Sequence, residues 1–162
     1  MAAKLNTMRL LEQHNIPYEA ITYGDADTFH SAEEVAEMLG VPPHIVYKTL
    51  VVEPAGGKPA LALVASDRSL DLKKLAAAMG VKKVSMAAHK DAERLTGLRA
   101  GGISPLALTH KGWAVYLDQP ATELEHILIS AGQRGTQVRV PTAALMTLLR
   151  ARVAEISAPP DE

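Results

Sequence analysis

The sequence predicts an α+β fold built around a mixed sheet of six to seven short strands, with about four flanking helices. Its 162 residues, 48% of them hydrophobic, suit one ordinary globular domain with a sizeable core. Strand-like segments outnumber the helix-like ones, and the two kinds do not alternate regularly as they do in a parallel βαβ protein. We therefore expect one domain over residues 1–157, followed by a disordered tail over residues 158–162.

Four helices are predicted from apolar residues at helical spacing and from residues typical of helix ends. The second begins at Ser31, since Ser31 and Glu34 match the capping-box pattern, and it ends at Gly40. The fourth is predicted to run from Thr142 to about Ile156. The other two are predicted over residues 7–14 and 71–79.

Seven segments are short, rich in β-branched or aromatic residues, and bounded by turn formers, which is typical of strands. These segments are residues 18–23, 45–52, 61–65, 84–86, 113–118, 126–130 and 137–140. Residues 53–59 contain two glycines and two prolines and are predicted to form a hairpin loop.

Composition limits the classes of function. With 17 Lys+Arg against 18 Asp+Glu, the net charge is −1, whereas a protein that grips duplex nucleic acid is usually basic. No DNA partner is expected, and any contact with RNA should be local. The absence of cysteine excludes disulfides and cysteine nucleophiles. No apolar run approaches the ~20 residues of a membrane span, and the start lacks a signal-peptide pattern, so we expect a cytoplasmic protein without a membrane partner.

One lysine lies within an otherwise apolar predicted strand. Alternation places Lys48 on the same face as Val46 and Leu50, while Tyr47 and Thr49 point the other way. An ammonium group among apolar side chains must reach an anion or the mouth of a cavity, because an unpaired buried charge is costly. The alternative is a lysine whose side chain extends past the strand to solvent.

Two loops that contain glycine are candidate anion sites. In the first, Gly101 and Gly102 permit close backbone approach, and the free N–H groups of such a loop can bind an oxyanion. The second, residues 130–135, offers the hydroxyl of Ser130 and the guanidinium of Arg134, which suits phosphate. Taken alone, each loop is also explained as a plain turn.

Other common catalytic patterns are missing. The six histidines show no metal-ligand spacing, and neither a serine-nucleophile elbow nor a phosphate-binding loop is present. The sequence therefore offers no evident general base, and we expect no metal and no cofactor.

Several stretches, taken in order, carry a resemblance to a known family. They are Val46-Tyr47-Lys48-Thr49-Leu50, residues 70–75, 82–84 and 96–97, Gly101-Gly102-Ile103-Ser104-Pro105-Leu106, and Ser130-x-Gly132-x-Arg134-Gly135. In this combination the chain resembles the YbaK/EbsC family of aminoacyl-tRNA deacylases, in particular its Cys-tRNA(Pro) deacylase branch, from Leu10 to about Ile156. The resemblance implies the fold of the editing insertion of bacterial prolyl-tRNA synthetases, with a partly barrel-like sheet.

The resemblance also implies roles for individual residues. Lys48 would lie near the phosphate of the terminal adenosine and the substrate ester, and it is a candidate catalytic residue together with Gly102 and Ser130. The segment from Gly102 to Pro105 would be the substrate loop. The expected substrate-binding residues are Tyr23, Phe29, Thr49, Gly101, Ile103, Ser104, Pro105, Gly132 and Arg134.

The activity implied by the resemblance is removal of cysteine from Cys-tRNA(Pro), and also from Cys-tRNA(Cys), at the aminoacylated CCA end. A prolyl-tRNA synthetase is the expected partner. In cysteine-specific relatives the thiol of the bound cysteine is thought to attack its own ester, so that no protein base is needed. Two departures concern substrate choice: Gln137 stands where such relatives tend to carry an acidic residue, and Ala131 replaces a frequent glycine. The alternatives are a deacylase for another small amino acid on tRNA(Pro), such as alanine, and a non-catalytic module that binds aminoacyl-tRNA or nucleotide ends.

Overall fold

The computed structural model describes residues 4–160, which contain five α-helices, ten strands and three 3₁₀ helices. The α-helices are α1 Asn6–Gln13, α2 Ala32–Leu39, α3 Leu72–Met79, α4 His89–Thr96 and α5 Thr142–Leu149. The strands are β1 Glu19–Thr22, β2 Tyr47–Pro54, β3 Ala60–Ala65, β4 Ser69–Leu70, β5 Val84–Met86, β6 Val115–Asp118, β7 His126–Ser130, β8 Thr136–Pro141, β9 Arg152–Ala154 and β10 Ser157–Ala158. The 3₁₀ helices are Pro43–Ile45, Pro105–Lys111 and Gln119–Glu123.

The strands form one mixed sheet, one antiparallel sheet and one short pair. The mixed sheet has the order β5-β2-β3-β6-β9, in which β2 is antiparallel to both neighbours and β3, β6 and β9 are parallel. The antiparallel sheet has the order β1-β8-β7, and β10 pairs with β4. A single parallel bridge between Val46 and Leu128 joins the two larger sheets. The predicted α+β fold with a mixed sheet is confirmed, and among residues 4–160 the sheets do not close into a barrel.

The core has two main layers, one on each face of the mixed sheet. The larger cluster includes residues from both large sheets, such as Leu63 and Ile129, together with Leu11 of α1 and Leu145 of α5. The smaller cluster lies on the opposite face, where α3 contributes Leu75. Within residues 4–160, every helix is too short or too polar to cross a lipid bilayer.

The fourth predicted helix is too long. Helix α5 ends at Leu149, Arg150 adopts a left-handed conformation with φ of 53°, and the chain turns into β9. The segment from Arg152 pairs with the otherwise open edge of β6. The backbone hydrogen bonds of this pairing favour a strand, although the apolar residues of the segment have helical spacing. Ile156 is fully buried in the smaller cluster and does not continue the face of Leu145.

Helix α4 was not predicted from the sequence. Only Ala92 and Thr96 of this helix are buried, so it lacks the apolar stripe by which helices are usually found. The two-residue strands β4 and β10 were also missed. Ala158, the first residue of the predicted tail, is part of β10 and pairs with Ser69, whereas Asp161 and Glu162 lie outside the described residues.

Candidate functional site

A pocket of about 250 Å³ opens between β2, the N-terminal end of α2 and the loop before the second 3₁₀ helix. It is lined by Phe29, His30, Ser31, Ala32, Val35, the residues 47–51, Met86, Ala87, His89, Ala92, Ala100, Gly101, Ile103, Ser130 and Gln137. Six of the residues expected from the sequence are therefore brought together: Phe29, Lys48, Thr49, Gly101, Ile103 and Ser130. The other six expected residues lie outside the lining: Tyr23, Gly102, Ser104, Pro105, Gly132 and Arg134.

Strand β2 forms one wall of the pocket because its neighbour β5 is short. Strand β5 pairs with β2 only up to the level of Val52, and the last contact is the Ala87 N–H donating to the Val51 carbonyl. The backbone groups of Thr49 point to the same edge as those of Val51, since hydrogen-bonding direction alternates along a strand. That edge is open to the pocket at Thr49, beside the partly exposed Lys48.

Two buried polar atoms in the pocket have no hydrogen-bond partner among residues 4–160. They are Thr49 Oγ1 and Gln137 Oε1, and Gln137 is only 5% exposed. Gln137 lies directly opposite Ser130 in the β7–β8 register, where Ser130 Oγ accepts from the Gly132 N–H at 3.1 Å. Buried polar groups are normally satisfied, so these atoms mark positions at which a ligand or water would be bound.

The loop at Gly101 and Gly102 packs tightly against its surroundings. A Cβ atom on Gly102 would lie 2.9 Å from the backbone of Gln133 and Arg134, and one on Gly101 would lie 3.1 Å from the Phe29 ring. The Gly102 N–H donates to the Arg99 carbonyl at 2.8 Å, so it is not available to a substrate oxyanion. The N–H groups of Gly101 and Ile103 donate to no acceptor within the described part of the chain, and both residues line the pocket.

Arg134 joins the loops around the pocket. Its Nε donates to the Ala100 carbonyl at 2.6 Å and its Nη1 to the Asp27 carbonyl at 3.1 Å. Its guanidinium lies 5.5 Å from the centre of the Phe29 ring. The sequence suggested a phosphate ligand, and the structure places most of the guanidinium in internal contacts that hold Phe29 in position.

The remaining expected residues surround the pocket without lining it. Tyr23 donates its N–H to the Gly135 carbonyl at 2.9 Å, and its ring packs edge-on against His30 at 6.4 Å. Ser104 is fully buried and caps the 3₁₀ helix, since its Oγ accepts from the Leu106 N–H. Pro105 lines a second cavity.

Two histidines line the pocket, although the sequence contained no signal for them. His30 precedes the capping box of α2, with Nδ1 3.6 Å from Glu34 Oε2, and His89 packs against Phe29 with ring centres 5.5 Å apart. The pKa of Glu34 is lowered, chiefly by the Ser31 N–H and then by the Ser31 hydroxyl and His30. An ionised Glu34 therefore lies beside the His30 ring and can help to orient it.

Tyr47 lines the pocket, is only 2% exposed, and stays neutral. Burial, together with the charges of Asp118 and Asp67, holds the pKa of the Tyr47 phenol above its ordinary range. At the mouth, Phe29 and Met86 are 42% and 46% exposed and present an apolar rim, which suits a flat aromatic base. Among residues 4–160, no group of three acidic, histidine or cysteine side chains is arranged to hold a metal ion.

Comparison with known proteins assigns a family. Residues 26–148 match the family model of the aminoacyl-tRNA editing domain. The chain is 40% identical over 154 residues, 95% of its length and 93% of the relative, to an Enterococcus faecalis protein provisionally named Cys-tRNA(Pro)/Cys-tRNA(Cys) deacylase EbsC. It is 33% identical over 110 residues to the proline–tRNA ligase of Nitratidesulfovibrio vulgaris, of which it covers 19%.

Solved structures share the fold. The hypothetical protein APE2540 superimposes with a TM-score of 0.83 at 21% identity, covering 93% of this chain and 97% of the other. A protein provisionally identified as a trans-editing enzyme for prolyl-tRNA synthetase superimposes with a TM-score of 0.76 at 23% identity, covering 96% and 99%. At these identities the likeness establishes the fold alone.

Proposed function

This chain belongs to the aminoacyl-tRNA editing domain family, and we propose that the bond it cleaves is the ester between cysteine and the 3′ end of tRNA(Pro). Cys-tRNA(Cys) is a second substrate under this proposal. One observation carries the choice of cysteine: the 40% identity to EbsC extends over nearly all of both chains. The choice of a small amino acid is also supported by the pocket volume of about 250 Å³, which suits an aminoacyl group and part of the nucleotide.

The pocket offers a different group for each part of such a substrate. The ammonium of Lys48 would bind the phosphate of the terminal adenosine, and the exposed ring of Phe29 would stack on its base. The unpartnered oxygen of Gln137 would accept from the ammonium group of the amino acid. Thr49 and Ser130 also line the pocket, and their hydroxyl groups would hold the ester in register.

The proposed cleavage uses the substrate's own thiol. The sulfur attacks the ester carbonyl, a C–S bond forms, and the C–O bond to the ribose breaks. The ribose oxygen leaves with the proton that the thiol gives up, and the product thiolactone is hydrolysed afterwards. Orientation of a reacting pair can supply about 7–11 kcal/mol, and the N–H groups of Gly101 and Ile103 would stabilise the developing oxyanion.

A second mechanism is favoured by one observation, the presence of His30 and His89 in the pocket lining. A neutral imidazole there could remove a proton from a water molecule, which would then hydrolyse the ester. This mechanism has no need of a substrate thiol. Cysteine and serine esters would then be cleaved at similar rates.

Selection of the tRNA is proposed to come from a prolyl-tRNA synthetase. The net charge of −1 suits contacts with the CCA end better than a grip on a long duplex. A shallow dependence of tRNA binding on salt concentration supports this proposal, whereas a steep dependence would indicate many phosphate contacts and contradict it.

The decisive experiment is a deacylation panel on Cys-, Ala- and Ser-tRNA(Pro) with catalytic amounts of protein. We expect multiple turnover on the cysteine ester, slow cleavage of the serine ester, and a loss of about 10²-fold or more for Lys48→Ala. Lys58→Ala, which changes an exposed lysine of the β2–β3 loop, is the matched control and should behave as wild type.

The other outcomes discriminate between the mechanisms. Equal rates on cysteine and serine esters, together with inactivation by His30→Ala or His89→Ala in a folded protein, would replace the thiol route with activated water. Preference for the alanine ester would reassign the substrate. Binding without turnover on any ester would identify a non-catalytic module.

A further inference from the structure

A second pocket of about 340 Å³ lies next to the first and is not used by the reaction proposed above. It is formed by the 3₁₀ helix Pro105–Lys111, the end of α5 and the start of β6. Its lining includes Trp113, Arg150 and Arg152, and none of the lining residues is acidic.

The two pockets are neighbours on one face of the mixed sheet. Val51 lines the first pocket and Leu61 the second, and these residues are directly opposite each other in the β2–β3 register. Ile103 lines the first pocket and Pro105 the second. Two residues of chain span at most about 7 Å, so the walls of the two pockets come within about 7 Å of each other at this segment.

The rim of the second pocket carries cations around an aromatic ring. Lys111 Nζ lies 5.5 Å from the centre of the Trp113 ring, and Arg152 donates to the Tyr116 hydroxyl at 3.1 Å. The side chain of Arg150 is exposed. No salt bridge within residues 4–160 involves Lys111, Arg150 or Arg152, so their charges are not neutralised by nearby carboxylates.

Arg150 holds a conformation that glycine adopts more easily. Helices α2, α3 and α4 all end on a left-handed glycine, whereas α5 ends on Arg150 with φ of 53°. A left-handed residue other than glycine costs about 1 kcal/mol or more, and such residues concentrate at functional sites. Here the conformation closes α5, since the Ala151 N–H donates to the Met146 carbonyl at 3.0 Å, and the exposed side chain of Arg150 lines the second pocket.

An aromatic ring among unneutralised cations is the pattern by which proteins bind single-stranded nucleic acid. We propose that the second pocket binds the nucleotide that precedes the terminal nucleotide of the tRNA 3′ end. Its base stacks on Trp113, and its phosphate contacts Arg150 and Lys111. This proposal rests on the proposed function in one respect: the terminal nucleotide of the tRNA occupies the first pocket.

The test uses the fact that Trp113 is the only tryptophan of the chain. The wild-type protein is titrated with the uncharged, 5′-phosphorylated trinucleotide CCA and, separately, with AMP, and the tryptophan emission is recorded. We expect CCA to quench the emission and AMP to leave it nearly unchanged, since AMP fits the first pocket alone. Equal quenching by both ligands, or binding of CCA in calorimetry without quenching, would overturn the proposal.

Variants measured by calorimetry locate the contact. Trp113→Leu should weaken CCA binding by about fivefold or more, because base stacking is worth at least ~1 kcal/mol, and Trp113→Phe should retain most of the affinity. Arg150→Asn, which suits the left-handed conformation, should also weaken binding and reduce its salt dependence. Arg139→Gln removes the charge of an exposed arginine on β8 and should change neither.

The outcomes separate this proposal from the preceding one. CCA carries no amino acid, so a protein that quenches on CCA but cleaves no ester would contradict the proposed function alone. If Trp113→Leu and Arg150→Asn leave the cleavage of Cys-tRNA(Pro), its KM and the affinity for CCA unchanged, the proposal for the second pocket alone is contradicted.

Discussion

Among single residues, Gly102 and Arg134 explain how the loops of the pocket are held together. The backbone of Gly102 contacts the backbone of the β7–β8 hairpin so closely that no side chain fits between them. From that hairpin, Arg134 reaches back to the carbonyls of Ala100 and Asp27. The two residues therefore hold the Gly101–Ile103 segment and Phe29 in place, and under the proposed function they are positioning residues.

We predict that Gly102→Ala lowers deacylation by about 10²-fold, because separating the loop from the hairpin misplaces the Gly101 and Ile103 N–H groups by a fraction of an ångström to about 1 Å. The measurement is kcat/KM on Cys-tRNA(Pro). Gly57→Ala, in the exposed β2–β3 loop, is the control and should retain wild-type activity. Full activity of Gly102→Ala would show that the loop geometry is not needed.

A second prediction concerns the unpartnered amide oxygen of Gln137. Gln137→Leu should raise the free energy of unfolding by about 1 kcal/mol or leave it unchanged, since a buried unsatisfied group is removed. It should also raise KM for Cys-tRNA(Pro), because the acceptor for the substrate ammonium is lost. Gln137→Glu, of nearly the same shape, is the comparison and should keep KM low. Loss of stability in Gln137→Leu would mean that the amide has a structural partner.

Among the secondary-structure elements, the short strand β5 and the start of α2 decide where the pocket lies. Strand β5 ends at Met86, which leaves the edge of β2 open at Thr49. The capping box of Ser31 and Glu34 fixes the first turn of α2, and so places His30 and Ser31 in the pocket wall. The position of the pocket therefore depends on the end of β5 and on the start of α2.

Helix ends also contribute stability away from the pocket. Asp71 caps α3, with Oδ1 accepting from the N–H groups of Lys73 and Lys74 at 3.0 Å. We predict that Asp71→Ala lowers the free energy of unfolding by about 1 kcal/mol, and Tm by roughly 2–4 °C. Asp71→Ser should retain most of the stability. Because Asp71 does not line the pocket, deacylation below Tm should be unchanged; a large drop in kcat would contradict this separation.

Across the whole molecule, the C-terminal segment completes the smaller core. Strand β9 extends the mixed sheet beside β6, Ile156 is fully buried, and Asp118 accepts from the Ile156 N–H and the Ser157 hydroxyl. Arg68 and Lys74 hold the same segment through Ser157. The segment 152–158 is therefore part of the folded core.

We predict that Ile156→Ala lowers the free energy of unfolding by about 2–5 kcal/mol, because a fully buried side chain leaves a cavity. Chemical denaturation followed by circular dichroism measures the change. Val153→Ala, at a neighbouring position that is 40% exposed, should cost far less. Similar losses for the two variants would mean that the segment is not anchored through Ile156.

The sequence by itself determined those features that depend on a few neighbouring residues. The strand that carries Lys48 follows from its β-branched and aromatic residues between turn formers, the start of α2 follows from Ser31 and Glu34, and the loop after β2 follows from its glycines and prolines. These features are local because side-chain period, capping and turn formation involve residues close together in the chain.

Only the tertiary structure decided which residues meet. Phe29, His89 and Gln137 come from distant parts of the chain and share one pocket, and the guanidinium of Arg134 binds carbonyls of two other loops. Helix α5 stops at Leu149 because the edge of β6 is available to pair with Arg152–Ala154. Contacts of this kind depend on the relative placement of whole elements, which local periodicity does not encode.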